Sequence, residues 1–189
     1  NLIGNIPASA YYPDKATGEA RALIYYTSEA VNDAIFAGKV AIDALKPVDI
    51  KLTNMSLPEG MSDEYNDDVL LTYSGITYSR NKYVNLQFIY PSSGTTYESQ
   101  HKFELVYNIN RTGFFASLYP QNDDGYLYLE LYHDSGNDAG KSTYSENIIS
   151  FYLDDLMIGR HIPTEYLGLK ILYRDNGNAR MVEYKFSHK

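Results

Sequence analysis

The side chains best equipped for chemistry gather in one stretch, Gly125–Asp138, GYLYLELYHDSGND. His133 beside Asp134 supplies the parts of a general base and its orienting carboxylate. Sequence neighbours on a strand point to opposite faces, so these two are poorly placed to bond each other. The competing reading is a strand end at which the Asp134 carboxylate folds onto the turn backbone. No companion nucleophile accompanies the pair, and that second reading is preferred. Asp134, Asn137 and Asp138 also offer the oxygen ligands that Ca²⁺ takes. An EF-hand loop opening at Asp134 needs Gly where Ala139 stands and Glu where Ser145 stands, so that motif fails. An irregular calcium loop competes with an ordinary Asp-rich turn, and the turn is preferred.

The rest of the chemical inventory is thin. The four histidines, His101, His133, His161 and His188, lack the short spacing of zinc sites, and are expected at the surface or at strand edges. Asp154-Asp155 evokes a glycosidase pair, but such carboxylates face each other across a cleft, and adjacency in sequence means little. No GxSxG, phosphate-binding loop or dinucleotide-binding glycine pattern occurs. With 0 Cys, thiolate catalysis, Cys-ligated metal and disulfides are excluded. The expectation is therefore no catalytic residue, no cofactor and no metal. Asn54-Met55-Ser56 and Asn110-Arg111-Thr112 have the form of glycan acceptors, and are read as chance.

These residues must be positioned by β-strands. In Tyr126–His133 the alternation sends Leu127, Leu129 and Leu131 one way and Tyr126, Tyr128, Glu130 and Tyr132 the other, as in a half-buried strand with a wet face. Further strands are predicted over Ala20–Thr27, Asp49–Thr53, Val69–Tyr73, Tyr83–Tyr90, Lys102–Asn108, Phe114–Tyr119 and Asn147–Leu153. Tyr166–Arg174 and Arg180–Ser187 follow, joined across Asn176-Gly177, a strong hairpin signal. Ser74-Gly75 marks a bulge. Ala34–Leu45 is read as two short strands around Gly38, closed by Pro47. The Pro, Gly and acidic run Asn54–Asp68 is read as a mobile loop. Strands this frequent, without a long helix, make a sandwich or barrel. Arg80-Asn81-Lys82 separates short, Ala- and Pro-containing strands from longer, Tyr-rich ones. Two β domains, residues 1–80 and 81–189, are expected; one sandwich with an N-terminal extension is the alternative.

Composition narrows the partners. The net charge of −8 opposes a nucleic-acid ligand, which needs clustered Lys and Arg. Tyr is the outlier, 20 residues against 7 Phe and 0 Trp. Tyr suits sheets and puts a hydroxyl beside an apolar ring. No apolar run reaches the ~20 residues of a spanning helix. The start at Asn1 is read as a trimmed mature end whose targeting segment has been removed.

Two motifs carry a resemblance. Tyr83-Val84-Asn85-Leu86 is similar to a "YLN plus aliphatic" strand, and Leu129-Glu130-Leu131-Tyr132-His133-Asp134, with Asp138 following, is similar to an "LxLYH(D/N)" signature. Both belong to the NigD-like family of Bacteroidetes lipoproteins, which this chain resembles firmly from Val69 onward and loosely before. His101 ahead of Phe103-Glu104-Leu105 and the hairpin Leu169–Phe186 match more weakly. Tyr78 stands where the family often has Trp. The resemblance implies an all-β protein, a small OB-like barrel followed by an antiparallel β-sandwich. It implies a cell-envelope location, in the periplasm or at the outer membrane, reached only through a removed N-terminal lipid anchor. It carries no catalytic residues, and an association with a bacteriocin follows from the family's name alone. The expected function is a non-catalytic envelope lipoprotein that binds another protein; the alternative is a glycan-binding module using exposed Tyr rings.

Overall fold

The computed structural model describes residues 21–25, 44–54, 56–57, 66–79, 82–94, 100–138, 142–153 and 165–186. The readings of Gly38, of most of Asn54–Asp68, of Asp154-Asp155, and of His161 and His188 lie outside them. The chain divides into two compact units, Asn1–Ile50 and Lys51–Lys189. Among the described residues no helix is long and apolar enough to cross a membrane.

In the first unit, strand β1 (Arg21–Tyr25) pairs antiparallel with the start of β2 (Ala44–Leu52), from Arg21↔Val48 to Tyr25↔Ala44. β2 runs straight through Pro47, which sits opposite Ala22, where the sequence predicts an end. A proline is tolerated in a strand wherever the ladder does not ask for its missing N–H. The described residues form sheets that do not close into a barrel.

The second unit is a β-sandwich. One sheet sets β7 (Thr143–Tyr152), β4 (Tyr83–Ser92) and β3 (Leu70–Ser79) side by side in that order. The other has the order β5 (Lys102–Val106), β6 (Tyr126–Asp134), β8 (Gly168–Asp175), β9 (Asn178–Lys185). Strands β3 and β4 pair directly, ending at Ser79↔Tyr83. The Arg80–Lys82 break therefore lies between hydrogen-bonded neighbours, and the compact units divide at Ile50/Lys51.

The Ser74-Gly75 bulge is present, as a register shift between Leu71 and Ile76. A Cβ on Gly75 would stand 2.3 Å from the Gln87 carbonyl oxygen, so no other residue fits there without moving backbone. The β8–β9 hairpin turns on Asn176 (φ 49°) and Gly177 (φ 73°), the two positive values that a type I′ turn demands. Where an antiparallel sandwich is expected, β6 and β8 run parallel, from Tyr126↔Gly168 to Glu130↔Leu172.

Between the sheets, Leu127, Leu129 and Leu131 of β6 pack with Leu86, Phe88, Phe103, Ile149, Phe151 and Ile171. The other face of β6 is not wet. Tyr128 and Tyr132 bury themselves with Val106, Phe115 and Leu172, and Phe114, Leu118 and Tyr119 pack against that cluster. The cover comes from the segment predicted as a strand over Phe114–Tyr119. It is instead a loop with one 3-10 turn, Ala116–Leu118. Its Phe, Leu and Tyr side chains do not alternate into a sheet but fold down as a lid over β6.

Candidate functional site

Strand β6 carries polar side chains into three different surroundings. At its C-terminal end, His133 is buried and does not bond Asp134. Its Nδ1 lies 3.0 Å from the Asp68 carbonyl oxygen, and its Nε2 lies 2.7 Å from Nδ1 of His101. Nε2 of His101 lies 3.0 Å from Oδ2 of Asp138. Asp138 also receives the Ser93 backbone N–H at 2.8 Å and the Ser93 hydroxyl. Asp134 accepts the Gly136 backbone N–H at 2.8 Å, the turn-capping role predicted for it. The expectation of surface histidines fails for His101 and His133, which lie in a ring cluster. Phe103 stacks on His133 at 4.6 Å, and Tyr90 meets His101 and His133 at 4.7 and 5.3 Å. The side chains of His101 and Asp138 are 0% and 1% exposed, so this His-Asp arrangement has no face open to a substrate.

Midway along β6, Glu130 is 1% exposed, where alternation predicts a solvated carboxylate. Its donors come from the lid, from β6 itself and from the residues that follow β5. Asn108 Nδ2 donates at 3.1 Å, the Tyr119 hydroxyl at 2.8 Å and the Tyr132 hydroxyl at 2.9 Å. Burial, and then the neighbouring Glu130 charge, push the Tyr119 phenol well above its ordinary range, so it stays a donor.

At the N-terminal end of β6 the surroundings open. Lys170 on β8 donates to Asp124 at 2.5 Å and to the Tyr128 hydroxyl at 3.0 Å, and its ammonium lies 4.4 Å from the Tyr126 ring centre. Burial alone would lower the Lys170 pKa; the Asp124 and Tyr128 bonds outweigh it and raise the value. Burial likewise would raise the Asp124 carboxyl, and the bonds from Lys170 and Tyr128 instead hold it low. Tyr126 and Tyr128 also line a cleft of about 270 Å³. Tyr107, Tyr119, Tyr126, Tyr128 and Tyr166 line it, together with Arg111 and Ile109. Arg111 lies in the left-handed region (φ 53°), and its guanidinium sits 5.6 Å from the Tyr119 ring centre. Ile109 is 62% exposed.

The sequence profile of the NigD-like C-terminal beta sandwich domain matches residues 54–186. The chain belongs to the NigD-like family. The region matched holds the whole of β3 to β9 and with them all three surroundings of β6. Solved structures share this NigD-like fold. A candidate lipoprotein from Bacteroides fragilis aligns at TM-score 0.58 and 14% identity, over 98% of this chain and 87% of that one. A protein of unknown function from Bacteroides vulgatus aligns at 0.53 and 21%, over 79% of this chain and 63% of its own. A candidate toxin-related protein from Parabacteroides distasonis aligns at 0.51 and 15%, over 88% of this chain and 70% of its own. This chain thus spans under two thirds of the B. vulgatus protein's length. A search of the curated proteins returned no match.

Of the residues singled out in the sequence, the structure unites His133 with Asp138 through His101, and leaves Asp134 to its turn. Among the described residues no group of three or more His, Asp and Glu is arranged to hold a metal ion. The cleft around Arg111 and Tyr119 was not legible. Its members come from separate segments, and the one usable signal was the abundance of Tyr.

Proposed function

We propose that this NigD-like chain is a non-catalytic cell-envelope lipoprotein that works by binding another protein through the tyrosine-lined cleft beside Arg111. The observation that carries this reading is the composition of the cleft's lining. Tyr and Arg are residue types that dominate binding energy at interfaces, and here they line the same cleft as the exposed apolar side chain of Ile109. The charge of −8 favours a basic partner, steered by electrostatics and released by salt. Absence of catalysis is supported by the His–Asp cluster, whose members are sealed and engaged with one another. The envelope location rests on the family's lipoprotein character, and association with a bacteriocin on its name.

One observation favours a second reading. The rings lining the cleft carry hydroxyls and could hold a sugar between them, a glycan-binding role. The test is affinity capture from envelope extract at low and high salt, run beside a glycan array. Protein binding predicts a partner identified by mass spectrometry that rebinds when purified and washes off with salt. No protein at either salt, with saturable glycan binding lost in Tyr107→Ala, would replace the first reading by the second.

A further inference from the structure

The His101–His133–Asp138 cluster contains a count that the proposed binding function does not use. Three hydrogen bonds run in series, from the Asp68 carbonyl to His133, from His133 to His101, and from His101 to Asp138. Each of these three contacts needs one proton between its heavy atoms. A carbonyl only accepts, so the proton facing Asp68 belongs to Nδ1 of His133. With that ring neutral, its Nε2 accepts, and Nδ1 of His101 must donate. Nε2 of His101 then faces Asp138, a carboxylate that only accepts when ionised. Two neutral imidazoles bring one proton each, which leaves one contact unfilled.

We propose that the folded protein stores one extra proton in this string, with His101 held as an imidazolium between His133 and Asp138. The charge belongs on His101 for two reasons. Asp138 already receives the Ser93 N–H at 2.8 Å and the Ser93 hydroxyl, and such donors favour the carboxylate over the acid. His101 is also the ring in direct contact with that carboxylate, at 3.0 Å, and the Tyr90 ring lies 4.7 Å from it. Ser93 follows the end of β4 in one sheet, and Asp138 follows β6 in the other. The stored proton is therefore part of a pin between the sheets. Other charged or titratable groups border the string. The lead-in to β3 brings Asp67, which accepts the Ser135 N–H, and Asp68, whose carboxylate pairs with Arg174 of β8. Strand β4 brings Tyr90, whose ring meets both histidines. On the adjoining strands, Glu104 of β5 pairs with Lys51, and Asp134 of β6 lies opposite Lys102 of β5 and accepts the Gly136 N–H.

The consequence has a definite sign. An unfolded histidine releases its proton near pH ~6.5. A folded state that keeps that proton binds one more than the unfolded state above this pH. Its contribution is complete below that value and is lost as pH rises. The unfolding equilibrium constant should therefore climb by up to tenfold per pH unit above pH ~6.5, relative to a chain without the string.

The experiment compares denaturant unfolding of the whole chain and of Asp138→Asn from pH 6 to 9, together with nitrogen NMR of the imidazole rings in the unaltered chain. Asp138→Asn removes the counter-charge, so its unfolding constant should rise less steeply, by close to one proton. The NMR spectrum at neutral pH should show His101 protonated at both ring nitrogens and His133 at Nδ1 alone. Parallel pH slopes in the two chains would overturn the proposal. Two singly protonated rings at neutral pH would overturn it without need of any variant, including one that fails to fold.

Discussion

The two ends of strand β6 hold polar side chains in opposite surroundings. At the C-terminal end, His133 joins His101, Asp138 and Ser93 in a chain of bonds closed off from water. At the N-terminal end, Tyr126 and Tyr128 line a cleft, and Lys170 and Asp124 bond the Tyr128 hydroxyl. Desolvation separates them. A buried polar group costs free energy unless every partner is supplied, so a sealed cluster is committed to its own members. A half-exposed ring can exchange water for a ligand without leaving a donor stranded.

That comparison can be broken by mutation, and the largest expected effect lies in the core between the ends. Leu129 is 0% exposed, and Leu129→Ala should cost ~2–5 kcal/mol in denaturant unfolding. Glu130 should come next. Glu130→Ala takes a shared acceptor from the hydroxyls of Tyr119 and Tyr132 and from Asn108 Nδ2, which keeps its bond to the Thr112 carbonyl, and should cost about 2–4 kcal/mol in the same assay. A cost under ~0.5 kcal/mol, the value for a solvated carboxylate, would show that this face of β6 is wet after all. Tyr119→Phe removes one bond to that carboxylate and should cost about 1–2 kcal/mol. At the open end, Ile109→Ala should change stability by less than ~0.5 kcal/mol, because the side chain faces solvent. The smallest effect concerns metal. Asp138 is engaged by Ser93 and His101, and Asp134 by Gly136, so thermal melts in EDTA and in excess calcium should coincide. A melting temperature that rises with calcium would place a ligand site in that turn.

Much of the architecture was legible because period-2 alternation and turn chemistry are local signals. Tyr83–Tyr90, Asn147–Leu153 and the Asn176-Gly177 hairpin could be found from neighbours in sequence alone. The inner face of β6 was equally clear in Leu127, Leu129 and Leu131. Its outer face was misread because alternation reports side-chain polarity and not what lies above. Glu130 is polar in sequence but buried in space, because Phe114 to Tyr119 fold over it from a loop. The parallel pairing of β6 with β8 was invisible for a related reason, since pairing partners far apart leave no local trace. The histidine string needed residues 32 and 37 positions apart to meet. Only the turn role of Asp134, which involves a residue two positions on, could be argued from spacing.

The most direct test of this division is a calorimetric titration of the captured, purified partner into three chains, the unaltered protein, Ile109→Ala/Arg111→Ala, and Asp138→Asn. If recognition belongs to the open end, the double variant should lose at least ~tenfold in affinity, about 1.4 kcal/mol. Asp138→Asn, titrated at a pH where circular dichroism shows it folded, should bind as the unaltered chain does. Full affinity in the double variant, with loss confined to Asp138→Asn, would contradict the account and move recognition to the sealed end of β6.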